Sequence, residues 1–328
     1  MALSLAGLAA PRILLVKTSS MGDVLHNLPV VTDIRRHFPA ARIDWVVEET
    51  FALLPGLHPD VKQTLTVALR RWRKGWWRSR GEIRAACAAL GAAPYDAVVD
   101  TQGLLKSALA ARCARGPRCG FDRNSAREPL ASLLYGHTFP VARAQHAVER
   151  NRQLAALALG YAPESAPADY GIRAPELALP WLPDAPYVVL LHATSRDDKL
   201  WAEENWVALG RDLREGCLRA VLPWGSEAER ARAERLAAAI PDALCAPRLA
   251  LTEAGALLAR SRGAVGVDTG LSHLAVALGV PTIGLYTATD PGLTGLYGGE
   301  RAINLGGKDR SPTVEEVLAA LGKAGVHG

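Results

Sequence analysis

No Cys-x-x-Cys pair occurs among the five cysteines (Cys87, Cys113, Cys119, Cys217, Cys245), and no histidine pair stands near Cys113 and Cys119 to complete a zinc site. An odd number of thiols in a chain of 328 residues is the usage of a reduced, cytoplasmic protein. No apolar run is long enough to span a bilayer. There is no Asp-x-Asp triplet, no histidine-rich cluster, no Gly-x-x-x-x-Gly-Lys-Ser/Thr loop, and no Gly-x-Gly-x-x-Gly after the first strand-like run. A metal-bridged diphosphate site, a P-loop NTPase and a dinucleotide dehydrogenase therefore lack their signatures. The opening MALSLAGLAAP has no basic leader and is followed by Arg12 and Lys17. It reads as an unstructured extension before the first strand rather than a secretion signal.

What is present is a well-stocked core and an uneven charge. Hydrophobic residues make up 49% of the chain, enough for two domains of ordinary size. Residues 1–150 carry 21 Lys and Arg against 12 Asp and Glu, a net of +9, whereas residues 151–328 carry 17 against 21, a net of −4. A basic first half and a mildly acidic second half point to different partners. RILLVK, RIDWVV and DAVVD in the first half, and YVVLLH, RAVLPWG and GAVGVD in the second, read as buried strands. LLKSALAARCA and SEAERARAERLAAAI read as helices between them. Buried strands separated by helices predict an α/β fold with parallel sheets and right-handed crossovers. The pattern restarts after GIRAPELALPWLPDAP, residues 171–186, where four prolines and no periodicity predict a linker. Two doubly wound domains are expected, 1–175 and 176–328, with ligands at the carboxyl ends of their strands.

GAVGVDTGLSHLAVALGVPTIGLY, residues 263–286, is a compact β-α-β unit. Its strand ends at Asp268, Thr269 and Gly270 turn, and a helix follows that Gly279 is placed to end. Gly270 lets backbone approach a ligand closely, and Thr269 with the first helical amides suits phosphate oxygens. The plainer alternative is that Asp268 and Thr269 only cap the helix. An aspartic-protease reading of DTG fails, because that chemistry needs a second copy in a β-rich fold. LLHATSRDDKLWAEENW, residues 190–206, puts Thr194, Ser195 and Lys199 just past a strand end. Two hydroxyls and an ammonium suit a diphosphate, unless Lys199 pairs with Asp197 or Asp198. In LPWGSEAERARAE, residues 222–234, Glu227 and Glu229 stand at a helix start, and either suits ribose hydroxyls.

In KTSSMGDVLHNLPVV, residues 17–31, Asp23 is either an ordinary helix-start acid or a base at the mouth of a cleft. RRWRKGWWRSRGEIR, residues 70–84, combines seven basic residues and three tryptophans with one acid. That mixture suits a membrane interface, an anionic and partly apolar ligand, or nucleic acid. Its alternative is a surface helix with the tryptophans packed inward. Arg123 and Arg127 flank a loop in FDRNSAREPL, Lys106 follows the turn of DTQGLLKSA, and QHAVERNRQ adds His146 and two arginines.

In order along nearly the whole chain, VKTSSMGDVLH, DWVVEE, RRWRK, YDAVVDTQGL, AREPLASL, QHAVER, HATSRDDK, LPWG, VDTGLSHL and TDPGL resemble the lipopolysaccharide heptosyltransferases of glycosyltransferase family 9. The likeness is greatest to those that add the first heptose of the inner core. It implies a GT-B fold, two Rossmann-like domains with parallel sheets facing a central cleft. It implies an inverting, metal-independent transfer of heptose from ADP-L-glycero-β-D-manno-heptose, held mainly by the second domain. The acceptor would be the Kdo of Kdo2-lipid A, held mainly by the first domain, at the anionic cytoplasmic face of the bacterial inner membrane. No cofactor besides the donor substrate and no nucleic-acid partner is implied. Carried onto this sequence, the resemblance makes Asp23 the catalytic base, with Ser19 and Ser20 a polar wall beside it. It assigns Thr194, Ser195, Lys199, Glu229 (with Glu227 its rival), Asp268, Thr269, Gly270, Leu271 and His273 to the donor. It assigns Arg70, Arg71, Arg73, Lys74 and Arg127 to the acceptor. Ser195 stands where the family often has threonine, and Ala288 where it usually has proline. Two other activities compete: a heptosyltransferase that extends an existing heptose, and a two-domain nucleotide-sugar epimerase, against which the +9 first half argues.

Overall fold

The structure, a computed structural model, describes residues 3, 5, 7–194 and 196–327. Ser195, expected at the donor site, lies outside the described residues, as do Met1, Ala2, Ser4 and Ala6 of the opening extension. The described part of that extension is attached, not free: Leu5 is buried and the Leu3 amide donates to the Ala158 carbonyl at 3.0 Å. The chain divides into two compact units, residues 1–172 and 173–328.

The first unit is built on six parallel strands: β1 (Arg12–Val16), β2 (Arg42–Glu48), β3 (Val61–Val67), β4 (Ala97–Asp100), β5 (Arg118–Phe121) and β6 (His137–Phe139). Their order is β3-β2-β1-β4-β5-β6. Ile13 to Val16 are fully buried, as a strand covered by helices on both faces must be. On one face Leu14, Val16, Val46 and Val98 pack with Trp72, Leu90 and Ala111. On the other, the Leu28–His37 and Ala147–Leu159 helices are joined by a buried ion pair, Arg152 Nε to Asp33 Oδ2 at 2.7 Å.

The second unit repeats the plan with β7 (Tyr187–Leu191), β8 (Arg219–Leu222), β9 (Leu244–Cys245), β10 (Gly263–Val267), β11 (Thr282–Tyr286) and β12 (Ala302–Gly306). Their order is β12-β11-β10-β7-β8-β9, again all parallel. Val188, Leu190, Val265 and Ile283 pack with Trp201, Trp206, Leu236 and Leu321. Both sheets thus reverse direction beside their first strand, between β1 and β4 and between β7 and β10. That is the point at which such sheets leave a crevice at the strand carboxyl ends.

The cysteines depart from expectation. Cys87, on the Arg80–Gly91 helix, and Cys113, just after the Leu105–Ala111 helix, form a disulfide, where five reduced thiols were expected. Neighbouring helices on one face of the sheet bring these cysteines together, with Cα atoms 4.8 Å apart across 26 residues of sequence. Cys119, Cys217 and Cys245 remain thiols.

The Arg152–Asp33 pair gives a direct test of this packing. Arg152→Met leaves the buried Asp33 carboxylate with only the exposed Arg36 at 3.9 Å, which costs up to about 3–5 kcal/mol. A urea titration should show that loss, and replacing Asp33 with leucine in the same chain should recover most of it. An unchanged midpoint for Arg152→Met would mean the pair does not hold the two helices.

Candidate active site

The loops that leave β1 and β4 are stitched together by one side chain, Gln102. Its Oε1 accepts from the Thr18 amide at 2.6 Å, the Thr18 hydroxyl at 2.8 Å and the Ser19 amide at 3.3 Å. Its Nε2 donates to the Ser19 carbonyl. Gln102 is in turn held by Asp100, whose Oδ1 accepts from the Gln102 amide at 2.8 Å and whose Oδ2 accepts from the Tyr135 hydroxyl at 2.8 Å. Burial pushes the Asp100 carboxyl up, against the pull of these hydrogen bonds. Gly103 follows with φ +66, a left-handed turn that swings the chain into the Leu105–Ala111 helix.

On this stitched loop stands Asp23, third residue of the short Met21–Leu25 helix. Its Oδ2 accepts from the Ser20 amide at 2.9 Å and the Ser20 hydroxyl at 3.0 Å, and Arg127 Nη1 lies 3.4 Å from Oδ1. The helix-start reading of Asp23 holds for one of its oxygens. One oxygen caps the helix start, while the other stands beside a single arginine. Ser19 is also bound by Lys106, whose Nζ donates to its hydroxyl at 2.8 Å. Burial, and then the charge of Arg70, push the Lys106 ammonium down, so the basic segment and this lysine share one neighbourhood.

The four cations expected in the basic segment do different things. Arg71 is committed to two carboxylates, Glu49 at 3.2 Å and Glu82 at 2.8 Å. The Arg70 amide donates to Glu48 and its guanidinium lies 5.4 Å from the Phe51 ring centre. Arg70, Arg73, Lys74 and Lys106 line a cavity of about 900 Å3 whose other walls include Leu69, Trp72, Ile83, Leu105 and Leu109. The tryptophans divide as well. Trp72 is buried and donates to Glu82, but Trp76 and Trp77 are exposed, their ring centres 3.9 Å apart and tilted by 31°, which overturns the inward-packed alternative for those two. His146 caps the Ala147–Leu159 helix by accepting from the Val148 amide.

In the second unit the same topological position holds a charged cluster. Lys199 Nζ donates to Asp268 Oδ2 at 2.7 Å across 69 residues of sequence, so the expected alternative partners Asp197 and Asp198 do not take it; Asp198 pairs with Arg196. Thr289 donates to the same oxygen at 3.0 Å, His273 Nε2 lies 3.9 Å from Oδ1, and the Thr194 hydroxyl donates to the Asp268 carbonyl at 2.9 Å. Burial alone would push the Asp268 carboxyl up, but His273, Lys199 and Thr289 together hold it well below the usual carboxylate range. Thr269 is the N-cap of the Gly270–Ala277 helix and makes no side-chain cap bond, and the Asp268 carboxylate is taken by Lys199 and Thr289 from other loops, so capping alone describes neither residue. The amides of Gly270 and Leu271 open that helix and have no acceptor within it.

Glu229 is not part of this cluster. It lies beyond β7, at the start of the Glu227–Ala239 helix, where its Oε2 accepts from the Gly225 amide at 2.7 Å and the Ser226 amide at 3.0 Å. Glu227 is more exposed and faces Arg230 at 3.6 Å. Sequence reasoning missed Gln102, Thr289 and Lys17. The last is buried, with Nζ donating to the Thr101 carbonyl at 2.8 Å and to Asn151 at 3.2 Å.

Burial pushes the Lys17 ammonium down from 10.5 to about 8, and the Asp23 carboxylate only partly offsets it. Below pH about 8 Lys17 carries its proton in both folded and unfolded chains, and folding bears the full burial penalty. Above that pH the unfolded chain holds the proton and the folded chain does not, so this group makes stability rise with pH toward 10.5. Lys17→Met should remove a slope of up to about 1.4 kcal/mol per pH unit. Urea unfolding of both chains from neutral pH upward measures it. A constant difference between them would contradict the burial account.

Residues 83–322 match the family model for glycosyltransferase family 9 (heptosyltransferase). Lipopolysaccharide heptosyltransferase 1 of Pseudomonas aeruginosa is 50% identical over 290 residues, covering 88% of this chain and 81% of that protein. A structure of the E. coli heptosyltransferase WaaC with ADP superposes with a TM-score of 0.88 at 43% identity, covering 95% of this chain and 99% of that one. A second WaaC structure, with ADP-2-deoxy-2-fluoro heptose, gives 0.85 with the same coverage. The fold is of the GT-B class. With the family model spanning most of the sequence and a half-identical relative along nearly its whole length, the chain belongs to glycosyltransferase family 9, the heptosyltransferases.

Proposed function

We propose that this glycosyltransferase moves L-glycero-D-manno-heptose from ADP-heptose to the Kdo of Kdo2-lipid A, with inversion, as a peripheral enzyme at the cytoplasmic face of the bacterial inner membrane. One observation carries the reading: each unit has, at its strand-reversal point, one half of the required chemistry. A carboxylate whose second oxygen meets Arg127 at 3.4 Å stands at the first, and a cation with hydroxyls and helix amides at the second. The half-identical Pseudomonas relative supports the first-heptose assignment over a heptosyltransferase that extends an existing heptose.

Inverting transfer is a single displacement with oxocarbenium-like character. It needs a base for the acceptor hydroxyl and a stabilised leaving diphosphate. Asp23 Oδ1 takes the proton, while Ser20 fixes the carboxylate through Oδ2. Ser19 and Ser20 form the polar wall beside the incoming sugar. Lys199 has three N–H donors and gives one to Asp268, which leaves two for phosphate oxygens. Thr194, Thr269 and the Gly270 and Leu271 amides complete that site, and His273 and Thr289 hold Asp268 in place. The protein's own charges thus do the work a metal does elsewhere. Glu229 offers its second oxygen to the ribose, its first being taken by the Gly225 and Ser226 amides. On the acceptor side Arg70, Arg73, Lys74 and Arg127 meet the anionic groups of the lipid, and Arg71 holds their segment to Glu49 and Glu82.

Asp23→Asn should lower kcat by ~10²–10⁴-fold while leaving the Kd for ADP unchanged. Near-normal turnover in the purified variant would remove Asp23 as the base. Lys199→Ala should raise the Kd for ADP, measured by calorimetry, by roughly ten- to a hundredfold, the worth of a charged hydrogen bond. An unchanged Kd would place the diphosphate elsewhere.

A further inference from the structure

Six of the nine exposed large hydrophobic side chains among the described residues belong to three segments of the first unit: Trp76 and Trp77, Leu105 and Leu109, and Leu130 and Leu133. Trp76, Leu105 and Leu109 border one cavity, which makes the first two segments neighbours. The third is the 3-10 turn Pro129–Leu134, whose Ala131 is buried against Ala108 of the Leu105–Ala111 helix. Leu130 and Leu133 are one 3-10 turn apart and share its outer side, at 60% and 76% exposure. Leucines this exposed at adjoining sites form a patch with no partner in the unit.

The charge around the patch has one sign. Arg73, Lys74, Arg78, Arg84 and Arg112 are exposed and form no ion pair among the described residues. The acids in the same segments are engaged: Glu82 with Arg71 and Trp72, Glu128 with the Leu105 amide. Arg80 lies over the Trp77 ring at 4.7 Å. Adjacent exposed tryptophans suit the depth of lipid headgroups, leucines the acyl boundary beneath, and arginines and lysines the anionic phosphates. An apolar protein partner would match the leucines but not the unpaired cations.

We infer that the Trp76–Trp77 loop, the Leu105–Leu109 helix face and the Leu130–Leu133 turn form one docking surface for an anionic lipid bilayer. This rests on the lipid-acceptor reading above and adds to it where the protein meets the membrane. The same surface borders the cavity lined by Arg70, Arg73, Lys74 and Lys106, so an acceptor embedded in the bilayer reaches the basic segment without leaving the lipid phase.

The full-length protein is floated with phosphatidylcholine vesicles, with and without phosphatidylglycerol. Binding is expected only with phosphatidylglycerol, weakened by salt, and accompanied by a blue shift of tryptophan emission that Trp76→Phe/Trp77→Phe removes. Leu130→Asp/Leu133→Asp should weaken vesicle binding roughly tenfold or more. Its thermal midpoint, and its transfer of heptose to a deacylated, soluble acceptor, should match the wild type. Wild-type affinity of the leucine variant, binding without a blue shift, or self-association that the leucine variant abolishes in place of vesicle binding would each overturn the surface. Loss of transfer to the soluble acceptor by the wild type would instead count against the proposed reaction, and vesicle binding is read independently of it.

Discussion

The reversal of strand order beside the first strand of each sheet is the constraint on which the rest depends. There two loops leave the sheet in opposite directions, and the polar groups between them must be satisfied by one another. In the first unit the solution is Gln102, bonded to four groups of Thr18 and Ser19 in the β1 loop and anchored by Asp100. In the second it is Asp268, which accepts from Lys199 and Thr289 on two different loops. Neither arrangement is a packing convenience. Each fixes a small set of charged and hydroxyl groups at a strand carboxyl end, where backbone amides of a following helix are also available.

The two solutions differ in sign and in purpose. Around Asp23 most neighbouring charges are positive: Arg127 beside it, Lys106 on Ser19, and the basic segment near Lys106. A single carboxylate among cations suits an anionic acceptor that must also lose a proton. Around Asp268 one carboxylate is matched by one lysine at 2.7 Å. The +9 and −4 halves of the sequence are the coarse record of this division.

The central strands were legible because they are covered on both faces: RILLVK, RIDWVV, DAVVD and their counterparts in the second half are nearly unbroken apolar runs. β3 was not, since Lys62, Gln63 and Thr66 are exposed at the sheet edge and break the pattern. β6 and β9 are three and two residues long, too short to carry a period. At the sites, motif residues such as Asp23 and Lys199 could be found, but their partners could not. Nothing local distinguishes Asp268 from Asp198 as the partner of Lys199, and only the adjacency of β7 and β10 decides it. Gln102, Lys17 and Lys106 act through bonds to residues more than 80 positions away. The Cys87–Cys113 pairing, only 26 residues apart, was hidden because just the folded sheet makes their helices neighbours.

Transfer itself tests the central claim most directly. The wild-type protein is given ADP-heptose with Kdo2-lipid A, with lipid A lacking Kdo, or with an acceptor that already bears one heptose. The account predicts one heptose added to Kdo2-lipid A, with neither of the other two consumed. Preferential extension of the heptose-bearing acceptor, or conversion of ADP-heptose with no acceptor present, would contradict it.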